Sequence, residues 1–228
     1  MSATLDEPLV SVNQASRTFG TGPGAVVAVH DVTCTIAAGD QIALTGPSGS
    51  GKTTLLHLIA GLDRPTGGTV TWPAIGQART LRPGPVAVVF QAPSLLPALD
   101  VAENVALPLL LEGLPRADAT AAARRALSLL GLAELADKLP EELSCGQAQR
   151  IAIARVLAGH PRLILADEPT GQLDHHNAAA VVDALLAAVE ETGAALVVNT
   201  HDREVAARLP IHWAMANGTL TTSEAAPC

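Results

Sequence analysis

Gly46-Pro47-Ser48-Gly49-Ser50-Gly51-Lys52-Thr53 is the stretch on which the reading of the chain turns. It fits G-x-x-x-x-G-K-[ST], the phosphate-binding P-loop. Asp40 to Thr45 before it is a short apolar strand candidate, and Thr54 to Ala60 after it has the look of a buried helix. Strand, glycine loop and helix in that order are the setting the motif needs. Glycines let backbone N–H groups turn inward and approach phosphate oxygens closely. The following helix N-terminus adds orphan donors and partial positive charge. Lys52 is expected to reach the β- and γ-phosphates, and the Thr53 hydroxyl to bind Mg²⁺.

Working outward, 228 residues make one large domain or two small ones, and 48% apolar residues are ample for a core. With two Phe, two Trp and no Tyr, that core must be built from Leu, Val, Ile and Ala. The net charge of −8 and the absence of any basic run argue against a general nucleic-acid surface. Acids at Asp6 and Glu7 stand where a signal peptide would carry bases. No stretch reaches the roughly 18 apolar residues of a membrane span; Leu107 to Leu114 is broken by Pro108, Glu112 and Gly113. Cys34, Cys145 and Cys228 are odd in number and far apart, which suits a reduced cytosol, and a Cys at the very end is no prenylation box.

Residues 8–36 alternate apolar and polar around the turn at Gly20 to Gly24, which predicts a small β region. Gly67 to Trp72 follows as a strand, and the Pro- and Gly-rich run 73–85 as a loop. Val86 to Phe90 is a continuous apolar strand expected to be buried on both faces, with Gln91 at its end. Val101–Glu112 and Arg116–Leu130 have helical spacing, punctuated by Gly113-Leu114-Pro115. Leu143 to Gln147 opens a further helix, Ala148–Ala158. Leu163 to Ala166 is a buried strand, Asn177–Glu191 a helix stopped by Thr192-Gly193, and Ala195–Val198 another strand before His201. Two weak strands, 212–215 and 219–222, close the chain. Strands alternating with helices predict an α/β fold of P-loop NTPase type with a mainly parallel sheet, an N-terminal antiparallel β region and a helical insertion at about 92–146.

In such sheets ligands sit beyond the carboxyl ends of the strands. The P-loop, Gln91, Asp167-Glu168 and His201 each follow one. Asp167 after four apolar residues has the form of a Walker-B aspartate, which holds Mg²⁺. Glu168 beside it can orient the attacking water and accept its proton. His201 can hydrogen-bond a γ-phosphate, and Gln91 can touch Mg²⁺ or water with one end of its amide. Standing alone, any of these would be an ordinary strand-end polar residue. Together they form a complete metal and hydrolysis set.

The motifs then resemble the nucleotide-binding subunit of an ABC transporter: P-loop 46–53, Q-loop Gln91, signature Leu143-Ser144-Cys145-Gly146-Gln147, Walker B 163–168, D-loop Gly171-Gln172-Leu173-Asp174 and switch His201. The likeness runs over about residues 8–222. It implies a single nucleotide-binding domain, 1–228, that hydrolyses Mg-ATP, with two such domains stacked head to tail around two ATP molecules. Nucleotide contacts are implied at Gly46, Pro47, Ser48, Gly49, Ser50, Gly51, Lys52, Thr53, Thr54 and Asp174. The partner's Ser144, Gly146 and Gln147 cap each ATP, and Phe19 falls where the family stacks an aromatic on adenine. Simple core packing is the other reading of Phe19. Cys145 replaces the usual first glycine of the signature; it either packs as a neutral thiol or, at a helix N-terminus, gains redox sensitivity. His175 and His176 read as a solvated helix start.

Gly61 to Gly68, Val101 to Val105 and Ala166 to Asp174 resemble the lipoprotein-release and macrolide-export group. This implies a separate integral membrane permease and a location on the cytoplasmic face of the cell membrane. Leu95 and Leu96 in the Gln91–Leu99 loop are a docking patch for that permease or a locally packed loop. A transport ATPase serving an exporter or a lipid or peptide extraction system competes with an ATP-driven switch for an envelope process without solute transport. No coiled coil, zinc module or second cassette points to a nucleic-acid ATPase, and no N-K-x-D points to guanine.

Overall fold

A computed structural model describes residues 7–223. Its elements in chain order are β1 (Val10–Phe19), β2 (Val26–Ile36), β3 (Gln41–Thr45), α1 (Lys52–Ile59), β4 (Gly67–Thr71), β5 (Val86–Val89), α2 (Val101–Leu111), α3 (Arg116–Leu129), α4 (Cys145–Ala158), β6 (Leu163–Asp167), α5 (His175–Thr192), β7 (Ala195–Asn199), α6 (Arg203–Ala206), β8 (Ile211–Ala216) and β9 (Thr219–Ser223). The chain divides into two compact units, residues 1–81 with 195–228, and residues 82–194. The expectations placed on residues 1–6 and on Cys228 lie outside the described residues, as do the side chains of His175 and His176.

In the first unit β1 pairs antiparallel with β2 and with β4, so that Val10 faces Ile36 and Phe19 faces Val26. Val10, Val12 and Ala15 are buried and Asn13 and Gln14 are exposed, the signature of a sheet with one face covered. β3 lies between β7 and β8, parallel to both, and β9 runs antiparallel to β8. Ile42, Ala43 and Leu44 are fully buried, as a parallel strand covered on both faces requires. The His30 N–H donates to the Gly218 carbonyl at 2.8 Å, linking β2 to the β8–β9 turn. α1 packs on β1, β2 and β7 with Leu55, Leu56, Leu58 and Ile59 buried.

In the second unit β5 and β6 pair in parallel, and α2, α3, α4 and α5 pack among themselves. Asp100 caps α2 through a reciprocal box with Glu103. α5 starts at the Asp174 cap and stops at Gly193, whose φ of 67° is the left-handed turn that ends a helix.

Two expectations are corrected, and one element is added. β5 is not buried on both faces: Ala87 and Val88 are half-buried, and Phe90, just past the strand, is 38% exposed. It pairs on one side only, as an end strand. α4 starts at Cys145 rather than Ala148, because Ser144 and Gln147 form a capping box. α6 was not expected; the Asp202 carboxylate accepts from the Glu204 and Val205 N–H groups and nucleates it. Among the described residues no helix is long and apolar enough to cross a membrane.

Candidate functional site

In the first unit the glycine loop leaves β3 and enters α1. Gly46, Gly49 and Gly51 have φ of 144°, 77° and 100°. A Cβ at Gly46 would lie 2.1 Å from the Met215 carbonyl oxygen, and one at Gly51 would lie 2.0 Å from that of Ala28. Both neighbours are backbone and cannot swing away, so sterics as well as torsion reserve these positions for glycine. The loop is held from behind: the Gly218 N–H donates to the Ser50 carbonyl at 3.0 Å, and Thr45 Oγ1 to the Trp213 carbonyl at 3.2 Å.

Lys52 opens α1. Its Nζ donates to the carbonyls of Gly46 and Pro47 at 2.9 and 3.0 Å, and the residue is 7% exposed. The ammonium is therefore stored on the loop that a phosphate would contact. Gly51 is the N-cap and supplies no capping side chain. The first-turn N–H groups of such a helix lack intrahelical acceptors. Ser50 Oγ is buried with no hydrogen-bond partner. An anionic phosphate fits this cradle on each count. Pro47, Ser48, Gly49 and Thr53 are exposed, and Thr54 is half-buried.

Phe19 ends β1 with 43% of its surface exposed, so the simple-core reading of this residue fails. The Arg17 guanidinium lies 4.5 Å from the centre of its ring. His201 is exposed beyond β7, next to Thr200, which is fully buried and donates its N–H to the Leu44 carbonyl at 3.1 Å.

In the second unit Gln91 and Glu168 converge on Gly171. A Cβ at Gly171 would sit 3.5 Å from Gln91 Nε2 and 3.6 Å from the Glu168 Cβ. Glu168 holds φ at 47°, a left-handed torsion that non-glycine residues seldom adopt. Strain of this kind collects where a side chain must be aimed. The Gly171 N–H donates to the Glu168 carbonyl at 3.1 Å and closes the turn. Asp167, half-buried, is the last residue of β6. Hydroxyl and carboxylate oxygens such as those of Thr53 and Asp167 are the hard donors Mg²⁺ takes, alongside phosphate and water.

The signature and the D-loop meet on one residue, Asn177. Asp174 accepts from the Asn177 N–H and from its Nδ2, both at 2.9 Å, so its carboxylate caps α5. A Cβ at Gly146 would fall 2.7 Å from Asn177 Oδ1. Ser144 Oγ accepts from the Gln147 N–H at 3.3 Å and Gln147 Oε1 from the Ser144 N–H at 3.0 Å. Cys145 is exposed in the first turn of α4.

Three polar residues went unnoticed in the sequence. Gln149 on α4 is 2% exposed and donates to the Phe90 carbonyl at 3.0 Å. Arg155 donates to the carbonyls of Ser94 and Pro93 at 3.0 and 3.1 Å, and burial lowers its pKa. Together they hold the Gln91 loop to the signature helix. Asn104, fully buried, donates to the carbonyls of Leu96, Leu99 and Asp100 and accepts from the Leu96 N–H at 2.7 Å. The available signal was a polar residue inside an apolar helical stripe. Leu96 is 46% exposed and Leu95 half-buried, so this loop is ordered and still presents apolar surface.

The family model described as ABC transporter matches residues 29–171. The chain belongs to the ABC transporter family. This ABC ATPase is 40% identical over 220 residues to the lipoprotein-releasing system ATP-binding protein LolD of Bordetella pertussis, covering 93% of this chain and 95% of that protein. It is 38% identical over 223 residues to LolD of Shewanella denitrificans, covering 95% and 96%. Among solved structures it resembles the dimeric post-hydrolysis state of the ATP-binding cassette MJ0796 bound to ADP and Pi, with a TM-score of 0.86 and 32% identity over 96% of this chain and all of that one. The α/β cassette fold, ATP binding and ATPase class of the ABC transporter subunit stand on these matches and on the loop geometry.

Proposed function

We propose that this ABC ATPase works as a head-to-tail pair of nucleotide-binding domains that drives a separate membrane permease in lipoprotein release or a related extraction of lipid or peptide. The observation that carries this is the 40% identity to a lipoprotein-releasing ATP-binding protein over nearly the full length of both chains. The whole of 1–228 then serves as one nucleotide-binding domain, with a helical subdomain at about 92–146 that includes α2 and α3. It acts on the cytoplasmic face of the cell membrane through the permease.

The glycine loop binds the ATP phosphates through its N–H groups, and Lys52 moves from the Gly46 and Pro47 carbonyls to the β- and γ-phosphates. Thr53 and Asp167, with Gln91, would hold Mg²⁺, which would supply positive charge to offset that of the phosphates at the terminal P–O bond. Glu168 orients the water in line with that bond and takes its proton, and His201 donates to the γ-phosphate. Phe19 stacks on adenine. Ser144, Gly146 and Gln147 of a second copy close over the nucleotide with the α4 N-terminus, and Asp174 keeps that D-loop in register by capping α5.

Depletion of the chain in its own cell tests the release function. Acylated proteins accumulate in the inner membrane, and wild-type chain clears them whereas Lys52→Ala does not. An unchanged distribution of acylated proteins in depleted cells contradicts a role in lipoprotein release.

A further inference from the structure

We propose that Arg17 and Asp63 are positioning residues for nucleotide-base binding: they hold the Phe19 ring as a platform and tie it to the helix that carries the phosphate site. This rests on Phe19 being the adenine-stacking residue.

Arg17 and Phe19 are two residues apart on β1 and therefore on the same face. The guanidinium occupies part of the ring's surroundings at 4.5 Å from its centre, while the ring as a whole keeps 43% exposure. The cation has its own anchor. Arg17 Nε donates to Asp63 Oδ2 at 2.7 Å, with both side chains about three-quarters covered. Asp63 is not on a loose loop. The N–H groups of Leu62 and Asp63 donate to the His57 carbonyl at 2.9 and 3.2 Å, and His57 lies on α1, the helix that Lys52 opens. Three residues on, the Thr66 N–H donates to the Ser16 carbonyl at 2.7 Å, and Thr66 Oγ1 accepts from the Thr18 N–H at 3.1 Å. The segment 61–66 is thus bonded to α1 at one end and to β1 on both sides of Arg17.

A side chain that merely packed would not need this arrangement. Phe19 is half out of the core, next to Val26 and Val27, which are 62% and 53% exposed. An unsupported exposed ring samples several rotamers, and a base stacking on it must first order it. A guanidinium fixed by a carboxylate holds the ring by cation–π attraction. The ring is then ordered before the nucleotide arrives, and the base finds it at a fixed place relative to the loop that holds the phosphates.

The test is calorimetric binding of ATP and of inorganic tripolyphosphate, both with Mg²⁺, to the full chain and its variants, together with steady-state phosphate release. Phe19→Ala weakens ATP binding about tenfold, the scale of one lost base stack. Arg17→Ala weakens it about two- to fivefold, raises KM and leaves kcat. Neither variant changes tripolyphosphate affinity, which needs no base. Arg17→Lys restores most of the ATP affinity. In the Phe19→Ala background Arg17→Ala has no further effect. If Phe19→Ala leaves ATP affinity unchanged, the stacking role fails and the proposal falls with it. If Phe19→Ala weakens ATP binding and Arg17→Ala does not, stacking stands and the positioning role is overturned. An equal loss of ATP and tripolyphosphate affinity in Arg17→Ala also overturns it, since Arg17 would then be holding the strand as a whole.

Discussion

The glycine loop of the first unit and the signature turn of the second both lead into helix N-termini, yet they are built from different material. At Gly46 and Gly51 the limiting neighbours are the backbone carbonyls of Met215 and Ala28. At Gly146 the limiting neighbour is the side chain of Asn177. α1 has a glycine cap without a side-chain bond, whereas α4 is closed by the Ser144–Gln147 box. Geometry fixed by main chain admits no variation, because nothing nearby can yield. Geometry fixed by side chains can drift if neighbours change with it, as a change at Asn177 would relieve Gly146.

The largest effect that would break this comparison belongs to the P-loop. Gly51→Ala should abolish ATP binding or folding, a loss of at least about 100-fold, because overlap with backbone adds to a positive-φ penalty. Equilibrium binding and thermal unfolding read both outcomes, and near-wild-type behaviour contradicts the backbone-built account. Gly146→Ala should lower stability by about 1–3 kcal/mol, the range of an overpacked site. Asn177→Ala in the same chain should recover most of that loss in thermal unfolding, whereas additive losses would show that the Asn177 contact is not limiting. Ser144→Ala should cost about 1 kcal/mol by removing the α4 cap, with Ser144→Asp close to wild type.

The smallest effect concerns the thiols. Burial pushes the Cys34 pKa up to about 12, while Cys145 is exposed. In a Cys228→Ser background, mass spectrometry after brief alkylation of native protein should find Cys145 modified and Cys34 protected. The folded thiol keeps its proton to higher pH than the unfolded one. Its contribution to stability is therefore complete below the ordinary value of 9.0 and is lost as pH rises toward about 12. Unchanged alkaline stability in Cys34→Ala relative to wild type would remove this contribution.

Much of this was legible in the chain because the motifs are local. The P-loop, Asp167-Glu168 and the Asp174 cap each need only a few consecutive residues, and β3 and α1 flank the loop where the spacing puts them. Element ends were less legible. α4 begins earlier than its apolar pattern suggests because the Ser144–Gln147 box outweighs the weak helix propensity of Cys145 and Gly146. The exposed face of β5 follows from its place in the strand order, which no stretch of sequence states. Gln149, Arg155 and Asn104 were missed for a related reason: their partners are backbone carbonyls, and carbonyls carry no residue identity. The convergence of Gln91 and Glu168 beside Gly171 joins segments about 80 residues apart in sequence, and the positive φ of Glu168 has no sequence mark at all.

The most direct measurement is light scattering of Glu168→Gln with and without Mg-ATP, beside phosphate release by the same variant and by wild type. The account predicts a dimer that forms only with Mg-ATP, and turnover reduced by about 10³, or about 4 kcal/mol of barrier. Hydrolysis by Glu168→Gln at the wild-type rate, or a variant that binds Mg-ATP and stays monomeric, would contradict it.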